Sequence, residues 1–582
     1  MCFGFFYDRV YAWAARSREA PERHSSPPSR GLPSNRSKTK MSTKSAIIIF
    51  LLAAGPMVVL SVPFFSWVPD DAYISFQYAR SFAEGDGLVF NPEERVEGFS
   101  NFLWTLGLAL IPKMGGDIEK AAPVASYAAA FLSLAVFVFL VLGAHTVPPT
   151  IGRRSPTFLA GAIAFAFGSF FPIAFYATSG LETVPYLFCL LAGVACHLWG
   201  SRRESVSPHY ASLAAFLGAA LMRPEGIGFL LLNSVFLLLR FRRQSGRLIA
   251  AVFVVLFAYL TALSVRFEYF GSVVPNTYFA KPPANLHYLT PILRGLEYLA
   301  RLLAKSGVVF LLPFALVVPH DRKKRYTWFY LWALAGYQAF FIVVAGADVL
   351  RFDRFAVPLV PLILALAATG TFGFVEGPDR RARRFTVRAV FAGVFVFASL
   401  NAVQAVNAYR KYCVHDWMHS RVHSEVGRML GRMVPPGGEI VANEIGAIRY
   451  HSRRPVIDML GLTDRAVAAI RFQSFRTYGV GSSPWSTLAV TRYLLDRNPA
   501  CVVLPSEDAL SLDDKTRYAA TMHPLWYRIL TAPDIEDRYR PVGYVKIHDK
   551  KYMYFFLRND IPFSPGVFEI PPGACRETRV FG

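Results

Sequence analysis

The chain has 582 residues, 53% of them hydrophobic, with 50 Phe, 27 Tyr and a mean hydropathy of +0.33. Apolar runs near the length needed to cross a bilayer recur through its first two-thirds, which excludes a wholly soluble chain and predicts a polytopic α-helical membrane protein. The formal net charge is +22, but its placement argues against a nucleic-acid partner: basic clusters (Arg153-Arg154, Arg202-Arg203, RFRR ending at Arg243, DRKKR ending at Arg325, DRRARR ending at Arg384) stand between alternate apolar runs, as cytoplasmic loops do.

Residues 1–44 are polar, basic and aperiodic, and read as a disordered cytoplasmic extension. Met41 directly precedes STKSAIIIF and is an expected alternative start of translation. The apolar run that follows lacks an A-x-A cleavage site, so it reads as a retained membrane helix. Spans are expected near 46–66, 122–146, 157–177, 183–199, 209–222, 226–240, 248–269, 305–319, 327–345, 355–375 and 386–408, about eleven in all. Their parity puts the N-terminus inside and the C-terminus outside. The short run FLWTLGLALIP (102–112) is then a re-entrant or interfacial helix within a large first external loop, 67–120. Residues 409–582 read as a soluble extracytoplasmic α/β domain with a small parallel sheet and a closing hairpin, PVGYVKIHDKKYMYFFLRND. In it Cys413, Cys501 and Cys575 allow one disulfide of unspecified pairing. Cys189 and Cys196 share one span, and no Cys/His group has zinc-ligand spacing.

The remaining charges gather on loops of one side. Asp70 and Asp71 open the first; Glu182 lies in SGLE; Arg223 and Glu225 lie in MRPEG; Lys281 ends VPNTYFAK; GADVLRFDRF carries Asp348, Arg351, Asp353 and Arg354. Charges this close to hydrocarbon are costly unless they pair or line a wet cavity. A polar pocket at the outer boundary is therefore expected, with acids for an acceptor hydroxyl and cations for a phosphate. Blander readings compete: Glu182 and Glu225 as first-turn acids, Arg351, Asp353 and Arg354 as a mutual surface pairing, Lys281 as a snorkelling interfacial lysine. From Ala72 to Glu84 the polar residues Gln77, Arg80, Ser81 and Glu84 make a narrow stripe, which predicts a helix lying in the membrane interface. One aspartate is explained as its cap; two adjacent carboxylates are not. In the external domain Glu444, Asp458 and Asp464 fall near strand ends, where the expectation is ordinary structural charge with a glycan-acceptor platform as the alternative.

The blocks DDAYISFQYARSFAEGDGLVFNPEERVEGFSNFLW, SGLETVPY, MRPEG, VPNTYFAKP and GADVLRFDRFAVPLVPL, with ANEIGAIRYHSRRPVIDMLGLTD beyond them, resemble bacterial GT-C class membrane glycosyltransferases. The resemblance is nearest to terminal arabinofuranosyltransferases of the mycobacterial cell wall and covers about residues 45–470. It implies a GT-C-like catalytic domain over 45–408 in a bacterial inner membrane. The implied reaction moves a sugar from a polyprenyl-phosphate donor to an extracytoplasmic cell-envelope glycan or lipid. Asp70 and Asp71 match the acidic motif of the active site. Arg223, Lys281, Arg351 and Arg354 are then expected on the donor phosphate, and Glu182, Glu225 and Asp348 on substrate. Some members of the class use a divalent metal and others do not; no metal or other cofactor is expected here. The competing readings are transfer to protein or lipid A, a transporter or flippase of lipid-linked sugars, and a non-catalytic assembly protein.

Overall fold

A computed structural model describes residues 43–65, 67–143, 154–241, 246–281, 289–346, 352–375, 380–410, 417–507, 510, 522–548, 551–571, 575 and 577–581. All of these belong to one unit, Lys40–Gly582.

Its helices are α1 (Thr43–Ser61), α2 (Asp70–Glu84), α3 (Phe102–Lys113), α4 (Ile118–Gly143), α5 (Arg154–Gly168), α6 (Phe171–Ala177), α7 (Thr183–Arg203), α8 (Ser207–Met222), α9 (Gly226–Arg240), α10 (Gly246–Phe270), α11 (Asn276–Ala280), α12 (Leu289–Ser306), α13 (Leu312–Ala315), α14 (Arg322–Ala345), α15 (Ala356–Val375) and α16 (Arg380–Ala408). Six helices are long and apolar enough to cross a membrane, and α5 with α6, bent by 53° at a break, makes up to seven. Helix α6 begins with Phe171-Pro172, where the missing N–H of proline is tolerated and the preceding helix cannot continue. Apolar side chains such as Leu51, Leu52 and Val59 on α1 and Phe253, Val254 and Phe257 on α10 face outward, as hydrocarbon-facing residues do. The chain is a multi-pass membrane protein.

All but one of the expected spans coincide with helices. The exception is 305–319. There α12 ends at Ser306, Gly307 takes a left-handed conformation (φ 74°), and only a short 3-10 turn and the four residues of α13 follow. An irregular backbone at membrane depth must find hydrogen bonds within the protein. Here the indole N–H groups of Trp328 and Trp332 both donate to the carbonyl of Ala315, at 2.7 and 3.1 Å. Helices α8 and α9 have 16 and 15 residues, and at 1.5 Å per residue they fall short of a hydrocarbon core of about 30 Å. They turn back on each other at MRPEG, where Gly226 rests on the backbone of Ala219 and Ala220; a Cβ would come within 2.4 Å of the Ala219 carbonyl oxygen.

The C-terminal region adds α17 (Trp417–Met433), β1 (Ile440–Ala442), α18 (Gly446–Ser452), β2 (Val456–Asp458), α19 (Arg465–Tyr478), α20 (Pro484–Asp496), β3 (Cys501–Ser506), α21 (Pro524–Leu530), α22 (Pro533–Arg538), β4 (Tyr539–His548), β5 (Lys551–Arg558) and β6 (Glu577–Val580). Its sheet runs β2-β1-β3-β5-β4-β6. The expected parallel arrangement holds only for β2, β1 and β3; β5, β4 and β6 are antiparallel, so the sheet is mixed. The short link between β4 and β5 permits only a hairpin, and that hairpin docks on β3 in place of a further crossover. Cys501 and Cys575 are free thiols, as are Cys189 and Cys196; Cys413 lies outside the described residues.

Helix α2 departs from its expected place. It does not lie in the lipid interface but is buried between the bundle and the C-terminal domain, with Ala72 to Ala79 and Ser81 all inaccessible. Tyr73 and Phe76 pack into the bundle core, while Ile74 and Tyr78 pack into the core that includes β1 and β5. Its polar residues serve protein partners: the Arg80 guanidinium donates to the Tyr450 carbonyl at 2.6 Å and lies 3.4 Å from that ring's centre.

Candidate active site

Neither aspartate caps α2. Pro69 is the N-cap residue, without a side-chain bond, and Asp70 and Asp71 fill the first turn. A helix separates neighbours by about 100°, so the pair points in two directions. Asp70 shares a face with Tyr73 and Arg80, both of which contact α18. Its carboxylate accepts from the main-chain N–H groups of Gly446 and Ala447, at 2.8 Å each. Gly446 is required for this approach, because a Cβ there would lie 2.1 Å from the Asp70 carbonyl oxygen. Burial, helped by the neighbouring Glu444 carboxylate and then Asp71, pushes Asp70 up to about 7, although the two N–H donors pull the other way.

Asp71 sits one turn and two turns before Ser75 and Tyr78 on the opposite stripe. That stripe faces the segment 96–101: the Tyr78 hydroxyl donates to the Val96 carbonyl at 2.5 Å and accepts from Gly98 N–H at 3.0 Å, and Ser75 donates to Asn101 Oδ1 at 3.2 Å. No hydrogen bond or ion pair holds the Asp71 carboxylate among the described residues, and it is half-buried.

Beyond Asn101 three loops at one end of the bundle converge. Asn101 Nδ2 donates to Glu182 Oε2 at 2.9 Å. Arg223 Nη1 donates to Glu182 Oε1 at 2.8 Å, and its Nε to Glu225 Oε1 at 2.5 Å. Arg354 Nη1 lies 3.9 Å from Glu182 Oε1. The turn before Arg354 holds Phe352 and Asp353 in left-handed backbone (φ 64° and 53°), a strained geometry stabilised by Phe352 against Phe175 and by Asp353 against Lys305. Glu182, Arg223 and Glu225 are buried, so two carboxylates and two guanidinium groups balance where an unpaired charge would cost several kcal/mol.

The expected site residues therefore separate. Asp71, Glu182, Arg223, Glu225 and Arg354 share one end of the bundle. Arg223 pairs with two carboxylates through Nε and Nη1, the geometry of a brace between loops. Lys281 is exposed at the end of α11 and stands apart from this network. Asp348 and Arg351 lie outside the described residues. Asp458 accepts from Leu460 and Thr463 N–H, and Asp464 caps α19 through Val467 N–H, so both carboxylates are structural. Asn101 and Ser75 were not singled out in the sequence; the S-N before FLWTLGLALIP carries the look of a helix cap, yet the Asn101 side chain makes no cap bond and reaches Glu182 instead.

Both oxygens of Asp70 are committed to amide N–H groups, and among the described residues no three His, Cys, Asp or Glu side chains converge as a cation cage.

Comparison with known proteins places this architecture. Residues 410–556 match the family described as "Domain of unknown function (DUF8728)". The chain is 32% identical over 228 residues to the terminal beta-(1->2)-arabinofuranosyltransferase of Mycobacterium tuberculosis, covering 38% of this chain and 35% of that protein. It is 28% identical over 256 residues to the protein of the same name from Corynebacterium glutamicum, covering 40% and 35%. The match thus spans about a third of the length of these relatives. The crystal structure of apo ArnT from Cupriavidus metallidurans superposes with a TM-score of 0.51 at 13% identity, over 88% of this chain and 98% of that one. The chain has the ArnT fold, the GT-C architecture expected from its motifs.

Proposed function

We propose that the protein is a glycosyltransferase that moves a sugar, arabinofuranose in the first instance, from a polyprenyl-phosphate donor to an extracytoplasmic cell-envelope glycan or lipid. One observation carries this reading: of two adjacent carboxylates, one is tied to the C-terminal domain and the other is left unengaged on the side of the buried Glu182–Arg223–Glu225–Arg354 network. The names of the two arabinofuranosyltransferase relatives support the sugar and the reaction class.

In the proposed reaction the acceptor hydroxyl attacks the anomeric carbon while Asp71 takes its proton. The bond from that carbon to the phosphate oxygen breaks, and the leaving lipid phosphate keeps the electron pair. As an anion it needs cations more than an acid. Arg354, half-buried in the network beside Glu182, is the cation this reading assigns to the phosphate. Arg223 acts through Glu182 and Glu225, holding the loops in place. No metal or other cofactor is proposed. The active face and the C-terminal domain lie outside the cytoplasm, because α7 and α9 carry the acids at one end and Arg202-Arg203 and Arg240 at the other.

The test is transfer from a panel of polyprenyl-phosphate sugars by purified wild type, Asp71→Asn and Asp70→Asn. Asp71→Asn should lose roughly 10²- to 10⁴-fold in turnover at unchanged thermal stability. Asp70→Asn should retain more turnover and lose stability. Full turnover by Asp71→Asn removes the catalytic assignment.

A further inference from the structure

Helix α12 has 18 residues, as many as a short span, yet it is not among the helices apolar enough to cross a membrane. Its contacts put both of its ends at the same end of the bundle. A Cβ on Gly295 would strike the main chain of Val343, close to the end of α14. Further along, Lys305 pairs with Asp353 at 3.0 Å in the turn before α15, and its carbonyl accepts from Gln404 of α16 at 2.7 Å. Gly295 and Lys305 are about 15 Å apart by helical rise. Since α14 and α16 are long and apolar enough to cross, α12 lies over their ends, along the membrane surface and not through it.

At roughly 100° per residue, its sequence divides into three sectors. Gly295, Tyr298, Leu302 and Ser306 are buried against the bundle. On one side of that seam Ile292, Leu293, Leu296, Ala300 and Ala304 are exposed. On the other stand Arg294, Arg301 and Lys305, exposed as well, with Glu297 at the edge. Leu293 is 63% exposed and Leu296 49%, a cost in water but not in acyl chains. The residues next in the chain, Val309 and Phe310, are exposed too.

We propose that α12 is a surface helix that binds anionic phospholipids, with its apolar sector among the acyl chains and Arg294 and Arg301 on the headgroup phosphates. Lys305 is already committed to Asp353. Arg294 and Arg301 have no ion pair among the described residues, and a guanidinium meets phosphate oxygens through paired charge-assisted bonds. A second copy of the chain fits this face less well, because a two-fold contact would set one basic stripe against another. The proposal stands without the transferase reading; in the orientation given above, the leaflet is the outer one. Through Lys305 and Asp353 the lipid-bound helix also holds the turn that carries Arg354.

The experiment uses the full-length protein in phosphatidylcholine vesicles containing a small fraction of phosphatidylglycerol with a photoreactive group near its headgroup. Phosphatidylcholine with the same group is the control. Mass spectrometry of the digested protein reads labelling of α12, with the basic turn at Arg322–Arg325, at the other end of the bundle, as internal reference. Phosphatidylglycerol should label α12 well above phosphatidylcholine. Arg294→Gln and Arg301→Gln should each reduce that preference about fivefold, and the double variant should abolish it. Both side chains are exposed, and Arg294→Lys with Arg301→Lys, which keeps the charge, should restore most of the preference. Equal labelling by the two lipids would show that the arginines read no headgroup and overturn the proposal. So would an unlabelled α12, or one cross-linked to a second copy. Phosphatidylglycerol labelling that polyprenyl phosphate displaces completely would give the face to the donor's carrier and overturn it as well.

Discussion

Helices α7, α9 and α14 bury polar clusters at both ends, and the two are built on opposite rules. At one end, the outer in the proposed orientation, Glu182, Arg223, Glu225 and Arg354 are charged, and their bonds interlock across three loops. At the inner end His197, His209, Asn233, Tyr326 and Tyr330 form a neutral set: His197 stacks on Tyr330 at 4.0 Å, bonds Tyr326 at 2.8 Å, and Tyr330 donates to Asn233 at 2.9 Å. Carboxylates are absent from that set. The contrast shows that burial of polar groups is not by itself a mark of chemistry. The inner cluster joins helices by ring packing. The outer one keeps paired acids and bases near a carboxylate that has no partner among the described residues, the one that receives the proton in the proposed reaction.

The largest test of this difference is Arg223→Met. It would leave Glu182 and Glu225 buried with Arg354 as the one remaining cation of the network among the described residues, and such losses cost about 3–5 kcal/mol. The thermal midpoint should fall by about 3–4 °C, and Arg223→Lys should recover only part, because a point charge cannot bridge both carboxylates in the plane of a guanidinium. An unchanged midpoint would mean that the outer network is not structural.

Asp70 comes next, through pH. Its folded pKa, about 7, lies above the ordinary 3.8 under the influence of burial, Glu444 and Asp71. The folded state therefore holds the proton more tightly, and the contribution to stability is present below pH 4 and is lost as pH rises through 7. The difference in midpoint between wild type and Asp70→Asn should accordingly shift against wild type from pH 4 to pH 8. A difference that stays flat would show that Asp70 does not titrate in this window.

How much of this was legible in the sequence depends on distance along the chain. The membrane class, a helix under nearly every expected span and the gathering of charged loops at one end follow from hydropathy and the placement of arginines, which are local signals; of those helices six, or up to seven, are long and apolar enough to cross. The run 305–319 misled because hydropathy averages over Gly307 and Pro313, the two residues that break the helix there. The roles of Asp70 and Asp71 could not be separated, since the distinction rests on main-chain donors 376 and 377 residues away. Arg223 was expected on a phosphate because charge at a pocket is visible in sequence, whereas its two carboxylate partners, one of them 41 residues upstream, are not assigned by spacing. The interfacial reading of α2 failed for a related reason: a narrow polar stripe looks the same whether headgroups or another domain will cover it.

The smallest effect belongs to the inner cluster and is the sharpest check on the contrast. Neither ring nitrogen of His209 has a hydrogen-bond partner among the described residues, and the ring meets Phe241 edge to face at 4.8 Å. His209→Leu removes both nitrogens and, with them, a desolvation cost of about 1–3 kcal/mol. It also gives up a ring contact of about 0.5–1.5 kcal/mol. The balance favours the variant by about 1 kcal/mol, which thermal unfolding in detergent can resolve, and the transfer rate should match wild type. If instead the rate falls while stability holds, the inner histidines take part in turnover, and the two ends of the bundle are less different than their charges imply.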